Sequence, residues 1–488
     1  MRLPPEHLAF AIRGRDTNAT PMDFPMDVLI ALLALGLLMF AAYRGYSVIL
    51  FAPIAAMGAV LLTQPSAVAP VFSDIFMDKM VGFVKLYFPV FLLGAVFGKL
   101  IEFSGFSRSI VSAVTRVIGK DKALPVIILV CALLTYGGVS LFVVVFAVYP
   151  FAAEMFRQSN IPKRLMPATI ALGAFTFTMD ALPGSPQIQN IIPTTFYGTT
   201  SWAAPWLGVL GSAFVAGGGL IYLNWLRARA VRQGETYGKN LRNEPDTPDS
   251  LNLPHPFISL LPLLVVGVTN LLFTWAIPHG YGPDFIINLP GLKAPMTSDV
   301  KKMVAIWAVM AALLCGIFTI FIFAWRTLKG KLADGSRAAV GGAMLAALNT
   351  ASEYGFGGVI AALPGFVQVA DSLKAIPNPL LNQAITINIL SGITGSSSGG
   401  MSIALAAMAD RFRELAETAG IPLEVMHRVA SMAAGGMDTL PHNGAIITLL
   451  AVTGLTHREA YKPILGITLF KVLGAFFIIG VYYLTGIV

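Results

Sequence analysis

Apolar residues fill this chain in blocks long enough to cross a bilayer, separated by short polar connections. Continuous blocks cover Val28–Tyr43, Val48–Leu62, Val81–Ile101, Ala203–Leu226, Phe257–Ile277, Met303–Trp325 and Ile464–Val488. About 17–25 apolar residues span the hydrocarbon core as a helix. Each block therefore predicts a transmembrane helix, the first two slightly short for upright ones. Two further blocks are interrupted. Residues 124–156 are broken by Thr135-Tyr136-Gly137-Gly138-Val139-Ser140, and residues 380–410 by Thr394-Gly395-Ser396-Ser397-Ser398-Gly399-Gly400. Glycine costs a helix up to about 1 kcal/mol relative to alanine, so such runs should unwind. Within a bilayer, unwound backbone persists only where protein or a water-filled cavity satisfies its polar groups. Both runs are read as tips of helical hairpins, buried near the midplane.

A second pattern is a repeat. Met179-Asp180-Ala181-Leu182-Pro183 returns as Met437-Asp438-Thr439-Leu440-Pro441, 258 residues later. Pro205-Trp206-Leu207-Gly208 and Pro463-Ile464-Leu465-Gly466 each begin 25 residues after the Asp, and Ile161-Pro162 answers Ile421-Pro422 upstream. Matched spacing around unlike filler argues for a duplicated unit. Paired helix breaks in the two halves of a membrane chain point to a transporter's binding centre. Proline suits the first turn of a helix, and an aspartate just upstream can cap it. Helices beginning at Pro183 and Pro441 would aim free N–H groups and a positive dipole end at an anion such as a carboxylate. No Arg or Lys lies within the two motif regions, so backbone dipoles and hydroxyls would hold that anion. After the proline the copies diverge into Gly184-Ser185-Pro186-Gln187 and His442-Asn443-Gly444-Ala445, and these differing residues should read the substrate.

Composition agrees with the pattern. The chain of 488 residues is 56% hydrophobic and 12% charged, against about 25% charged in a soluble domain. Its net charge of +8 lies largely in loops. It reads as topology information, not as a footprint for nucleic acid. Arg227, Arg229, Arg232, Lys239 and Arg242 fill one connection; Arg326, Lys329, Lys331 and Arg337 fill another. Arg108, Arg116, Lys120 and Lys122 precede the first interrupted block, and Arg157, Lys163 and Arg164 follow it. Placing these on the cytoplasmic side gives a consistent path. In the first half, crossings at 28–43, 48–62 and 81–101 lead to a re-entrant segment at 124–156. A broken helix over 165–193 leads out and 203–226 leads back. The second half repeats this upside down, with helices at 257–277 and 303–325, a span over 338–370, a hairpin near 380–410, a broken helix over 424–452 and a final helix.

The expected fold class is an all-α integral membrane protein of two inverted-topology repeats, about five spans each, with re-entrant hairpins and broken helices. Residues 1–25 are a tail, 26–226 the first repeat, 227–255 a cytoplasmic linker and 256–488 the second repeat. Residues 1–21 are polar and stand outside the fold argument. Cys131 and Cys315 sit in apolar runs as small packing residues, and no spacing resembles a metal site.

The expected substrate-binding residues are Gly137, Gly138, Ser140, Gly184, Ser185, Gln187, Gly395, Ser396, Ser397, Ser398, Gly399, Asn443 and Gly444. Asp180 and Asp438 are candidates for proton or ion coupling, because an intramembrane carboxylate is costly and functional by default. The bland alternative makes them helix caps. Gly137-Gly138 can equally be a close helix contact. His442 can couple protons, bind substrate or be a satisfied core residue. Glu353 is a weaker proton carrier, or lies near a helix end. Lys85, Lys99 and Lys471 are read as snorkelling side chains, and Glu102 and Glu154 as interfacial.

Over nearly its whole length from about residue 26, the chain resembles the gluconate permease (GntP) family. The likeness rests on Gly137-Gly138-Val139-Ser140, Asp180-Ala181-Leu182-Pro183-Gly184, Gly395-Ser396-Ser397-Ser398-Gly399-Gly400 and Asp438-Thr439-Leu440-Pro441-His442-Asn443-Gly444. It implies proton-coupled uptake of a small hydroxylated carboxylate across a bacterial inner membrane, by two inverted repeats with paired hairpins, often in a homo-oligomer. Gluconate, a shorter acid such as 3-hydroxybutyrate and a citrate-like acid all fit. No cofactor is implied; the expected partners are the organic anion, H+ or Na+, and the lipid bilayer. Two other classes remain: a cation/proton antiporter using Asp180 and Asp438, and a membrane-embedded enzyme, for which no metal-ligand set or nucleophile–base pair stands out.

Overall fold

A computed structural model describes residues 24–44, 46–119, 122–139, 141–238, 241–245, 253–365, 368, 376–441 and 443–488. The tail, Lys120, Lys239, Ser140 and His442 lie outside the described residues. Among the described residues the fold is all-helical apart from one antiparallel hairpin, Asp284–Ile287 with Met296–Asp299, which the hydrophobic pattern did not signal. Among the described residues, five helices are long and apolar enough to cross a membrane: Pro65–Phe103, Pro205–Arg232, Pro256–Tyr281, Val300–Leu328 and His457–Thr485. Their outer faces are those of a protein solvated by lipid. On Pro256–Tyr281, Leu264, Val268, Leu271 and Trp275 recur at helical spacing and are exposed. In water such a stripe would be an association surface; against acyl chains it costs nothing.

Most predicted blocks are helices, with shifted ends. The first two are Phe24–Tyr43 and Val48–Thr63. The third begins at Pro65 and runs to Phe103, taking in a π-helical stretch at Phe72–Met77. The basic loop expected at 108–116 is instead an amphipathic helix, Phe106–Ile118, that buries Phe106, Ile110 and Val111 and exposes Arg108 and Arg116. The linker's first residues continue a helix as far as Arg232.

Both interrupted blocks are helical hairpins: Ala123–Tyr136 with Leu141–Gln158, and Pro379–Thr394 with Ser397–Thr418. The second tip is tighter than its composition suggested. Gly395 takes a left-handed φ of +63°, which ends one arm, and the Ser396 hydroxyl accepts from the Gly399 N–H at 3.0 Å to start the next. Only Gly395 and Ser396 are therefore unwound; Ser397, Ser398 and Gly399 form the first turn of a helix. A helix of 31 residues, Leu332–Ala362, packs beside this hairpin and places Glu353 well inside the helix rather than near an end.

The Met-Asp-x-Leu-Pro motifs interrupt two helices. Met166–Ala174, one turn at Phe177–Asp180, and Ile188–Tyr197 form the first broken set; Leu423–Gly436 and Gly444–Thr453 form the second. Each set leads into a long helix, Pro205–Arg232 or His457–Thr485. The two long helices pack antiparallel, Val215 meeting Gly474 and Tyr222 meeting Gly466. The expected helix starts at Pro183 and Pro441 are not formed. Both prolines lie in turns, and the helices begin at Ile188 and Gly444, with Gln187 and Asn443 as N-caps. Asp180 and Asp438 accordingly cap neither helix.

The linker is bound to its surroundings. Glu244 accepts from Lys163, Arg157 and Tyr237, and Arg164 pairs with Glu235 at 2.8 Å. Asn243 reaches the other half by donating to the Ala451 carbonyl at 2.8 Å. Burial raises the Glu244 carboxyl, but its hydrogen bonds with Lys163, Arg157 and Tyr237 hold it below the usual range. The Arg164 hydrogen bond lowers Glu235 likewise.

Candidate functional site

Lys471 is the fifteenth of the 29 residues of the final helix. At 1.5 Å per residue it lies about 21 Å from either end, beyond the reach of a snorkelling side chain. The structure corrects that expectation. Lys471 is buried and its ammonium is paired with Asp438. A second bond, at 2.7 Å, goes to the carbonyl of Phe175, just beyond the end of helix Met166–Ala174. A cation at a helix C-terminus meets the negative end of the helix dipole. One side chain of the second half thus holds the acidic residue of its own motif and the approach to the other.

From Asp438 the polar contacts run on across the molecule. Ser397 lies beside the Asp438 carboxylate, and its hydroxyl accepts from Gln189 Nε2 at 2.9 Å. Gln189 belongs to helix Ile188–Tyr197 of the first half. Ser398 stands 3.2 Å from Thr350, and Ser396 faces the Glu353 carboxylate at 3.5 Å. A Cβ placed on Gly399 would lie 1.9 Å from Glu353 Oε2, so only glycine lets that carboxylate rest on the helix. Gln189, Ser397, Asp438, Lys471 and Glu353 are each no more than 6% exposed. The centre is buried.

A second cluster knots the halves together. Arg428, fully buried on helix Leu423–Gly436, donates to the Ala203 carbonyl at 2.7 and 3.1 Å, to the Asp180 carbonyl at 3.3 Å and to Asn190 Oδ1 at 3.0 Å. Ser431 adds a bond of 2.7 Å to the Asp180 carbonyl. His427 bridges Asn190 and Thr199 at 3.2 and 2.7 Å. The Asp180 carboxylate rests against Gly435, where an added Cβ would be 1.8 Å from Oδ2. Asp180 also lies close enough to Lys471, Asp438 and Arg428 to feel their charge. The motif regions contain no Arg or Lys of their own, yet two basic residues from elsewhere in the second half serve them.

A protein of Bacillus subtilis (strain 168), the uncharacterized transporter YxjC, is 54% identical over 473 residues, covering 95% of this chain and 100% of that one. The chain belongs to the YxjC transporter family. No protein-family model matches it. In structure this transporter is similar to Neisseria gonorrhoeae MtrF, described within a class of antimetabolite efflux pumps. That likeness has a TM-score of 0.53 at 14% identity, over 94% of this chain and 95% of that one. The Alcanivorax borkumensis YdaH transporter aligns with a TM-score of 0.49 at 16% identity, over 96% and 99%. The MtrF likeness shows a shared fold. The protein is thus an all-α membrane transporter.

Within this transporter, the residues expected at the site fall into two groups. Ser396, Ser397, Ser398, Gly399, Glu353 and Asp438 come together, with Asp180 nearby. The first-half residues take packing or bracing positions. Gly137 lies against Leu263, and Gly138 against Pro186 and Leu313. Gly184 bonds the Ser201 carbonyl and abuts Trp202; Ser185 donates to Thr178 at 2.8 Å. Gln187 donates to the Thr135 carbonyl at 2.7 Å, and Asn443 to Gly395 at 2.6 Å. Gly444 has no neighbour within 4 Å of a built Cβ. Sequence reasoning missed Lys471, Arg428, His427 and Gln189. Lys471 carried a usable signal: it is the one charged residue between Pro463 and Thr485, at the middle of its helix and too deep for water.

Proposed function

We propose that this transporter imports a small organic anion, such as gluconate or another hydroxycarboxylate, by proton symport across the bacterial inner membrane. The GntP resemblance suggests this chemistry. The observation that carries the reading is the Asp438–Lys471 pair, buried halfway along the final helix beside Ser397, whose hydroxyl is bonded by Gln189 of the other half. An acid, a base and hydroxyls meet where the two halves meet, which is what a site exposed alternately to either side requires. In this reading residues 26–226 and 256–488 are inverted repeats joined by the 227–255 linker, and the protein works as a homo-oligomer. A sodium-coupled version has one observation in its favour. The buried oxygens Gln189 Oε1 and Asn388 Oδ1 have no hydrogen-bond partner among the described residues, and amide oxygens can ligate Na+.

Uptake of labelled gluconate, 3-hydroxybutyrate and citrate into proteoliposomes, under an imposed pH or sodium gradient, tests the proposal. Accumulation driven by an inward proton gradient is expected. If no carboxylate accumulates under either gradient, the symport reading falls; accumulation under sodium alone replaces the proton with Na+.

A further inference from the structure

Resting on the symport reading, we infer that Lys471 is the residue that receives the substrate carboxylate, and that it does so when a proton replaces it as the partner of Asp438. Two buried cations, Arg428 and Lys471, stand near the motif aspartates. Arg428 is occupied by fixed groups, the Ala203 and Asp180 carbonyls and Asn190 Oδ1. Lys471 holds one fixed carbonyl, Phe175, and one group that can lose its charge, Asp438. Leaving either member of a buried pair alone is strongly unfavourable. Protonating Asp438 by itself would leave the ammonium bare, and admitting an anion by itself would crowd two carboxylates onto one ammonium. Doing both together keeps one anion opposite one cation throughout.

The other charged and titratable groups facing the pair do not alter this count. Asp180 lies within range of both members and is itself flanked by Arg428. Glu353 is reached only through Ser396 and is turned against Gly399. His427 is engaged by Asn190 and Thr199. Ser397 borders Asp438 and is bonded by Gln189, whose Oε1 is without a hydrogen bond among the described residues. A hydroxyl on a substrate carbon near the carboxylate, C2 of gluconate or C3 of 3-hydroxybutyrate, would find an acceptor there. In the cycle a proton from outside binds the Asp438 carboxylate, and the substrate carboxylate takes its place at Lys471. On the inner side the substrate leaves, the proton leaves, and the pair re-forms. A monocarboxylate therefore travels with one proton and no net charge.

The first test needs no variant. In proteoliposomes holding the full chain and a fixed inward proton gradient, the accumulation ratio of labelled 3-hydroxybutyrate is measured at zero and at 100 mV, inside negative. One net charge moved across 100 mV changes that ratio about 50-fold. The expected result is a ratio unchanged within twofold. A rise toward 50-fold overturns one-for-one exchange while leaving symport standing, and no uptake at all sinks the symport reading instead. The second test is equal-pH exchange of labelled for unlabelled 3-hydroxybutyrate. Asp438→Asn should keep exchange with an affinity independent of pH and lose gradient-driven accumulation. Lys471→Arg should keep both, and Lys471→Met should lose both. Wild-type exchange by Lys471→Met would remove Lys471 from the site.

Discussion

Gln187 and Asn443 stand in the same position in the two halves: each is the N-cap of the helix after a Met-Asp-x-Leu-Pro motif, and each donates its side-chain amide to a hairpin tip. Gln187 braces the Thr135 carbonyl and Asn443 the Gly395 carbonyl. They are 256 residues apart while the aspartates are 258 apart, so the second copy reaches its cap two residues sooner. The divergence after the proline, which looked like substrate reading, is at these positions a conserved task done by two amides.

That equivalence separates the two in stability. Gln187→Ala removes a helix-to-tip bond, about 0.6 kcal/mol and at most about 1.7 in a membrane protein. Asn443→Ala removes such a bond and also a cap accepting from the Ala445 and Ile446 N–H groups, which adds about 1 kcal/mol. Unfolding in mixed micelles should show the asparagine variant losing about 1.6 kcal/mol and the glutamine variant about 0.6. Equal losses would mean the cap contributes nothing.

Gly399→Ala should disable transport without unfolding the protein. Its methyl group would displace the Glu353 carboxylate from a position 1.9 Å away, whereas Gly217→Ala meets nothing within 4 Å. Uptake is expected to fall at least tenfold in the first variant and to stay within twofold in the second. Glu353 would have no part in transport if the Gly399 variant took up substrate normally.

Arg428→Met tests the knot. Ser431 would still serve the Asp180 carbonyl and His427 would still meet Asn190, so the Ala203 carbonyl is the acceptor left alone. One buried orphan costs about 1–3 kcal/mol, and Arg428→Lys should recover part of it. Thermal unfolding in detergent measures both, and a Met variant as stable as wild type would show that lipid or water replaces the guanidinium.

The linker should loosen in acid. Glu244 and Glu235 have carboxyls held below the ordinary range in the folded protein, so the unfolded state binds protons more readily. Their contribution is present above the ordinary glutamate value of about 4.3 and is lost as pH falls through the lowered one. Hydrogen exchange across 235–245, corrected for intrinsic rate, should accelerate below that value, and Glu244→Gln should show the faster exchange already at pH 7. Uniform protection down to pH 3 would contradict it.

The sequence carried much of this architecture. Apolar block length located the spanning helices, and the glycine–serine runs located both hairpins, because each signal is local. The helix starts at Pro183 and Pro441 were misplaced because a proline followed by polar residues suits a turn as well as a first helical position. Lys471 and Arg428 were overlooked for a different reason. Phe175, Ala203, Asn190 and Asp180 are more than 200 residues from them in the chain, and even Asp438 is 33 residues from Lys471, so no short window of sequence brings them together. Ser397 was legible as a hydroxyl at a tip; that it touches Gln189 of the other half was not.

Phe175, Ala203 and Asp180 each present a carbonyl that is bonded by Lys471 or Arg428, and both donors are made late in synthesis. A ribosome releasing the first half into lipid leaves those acceptors waiting until the final helix emerges. Expressed alone, that half is expected to be less stable than when the second is co-expressed with it. The first half offers the acceptors and the second half the donors, so the order of translation sets when these bonds can form.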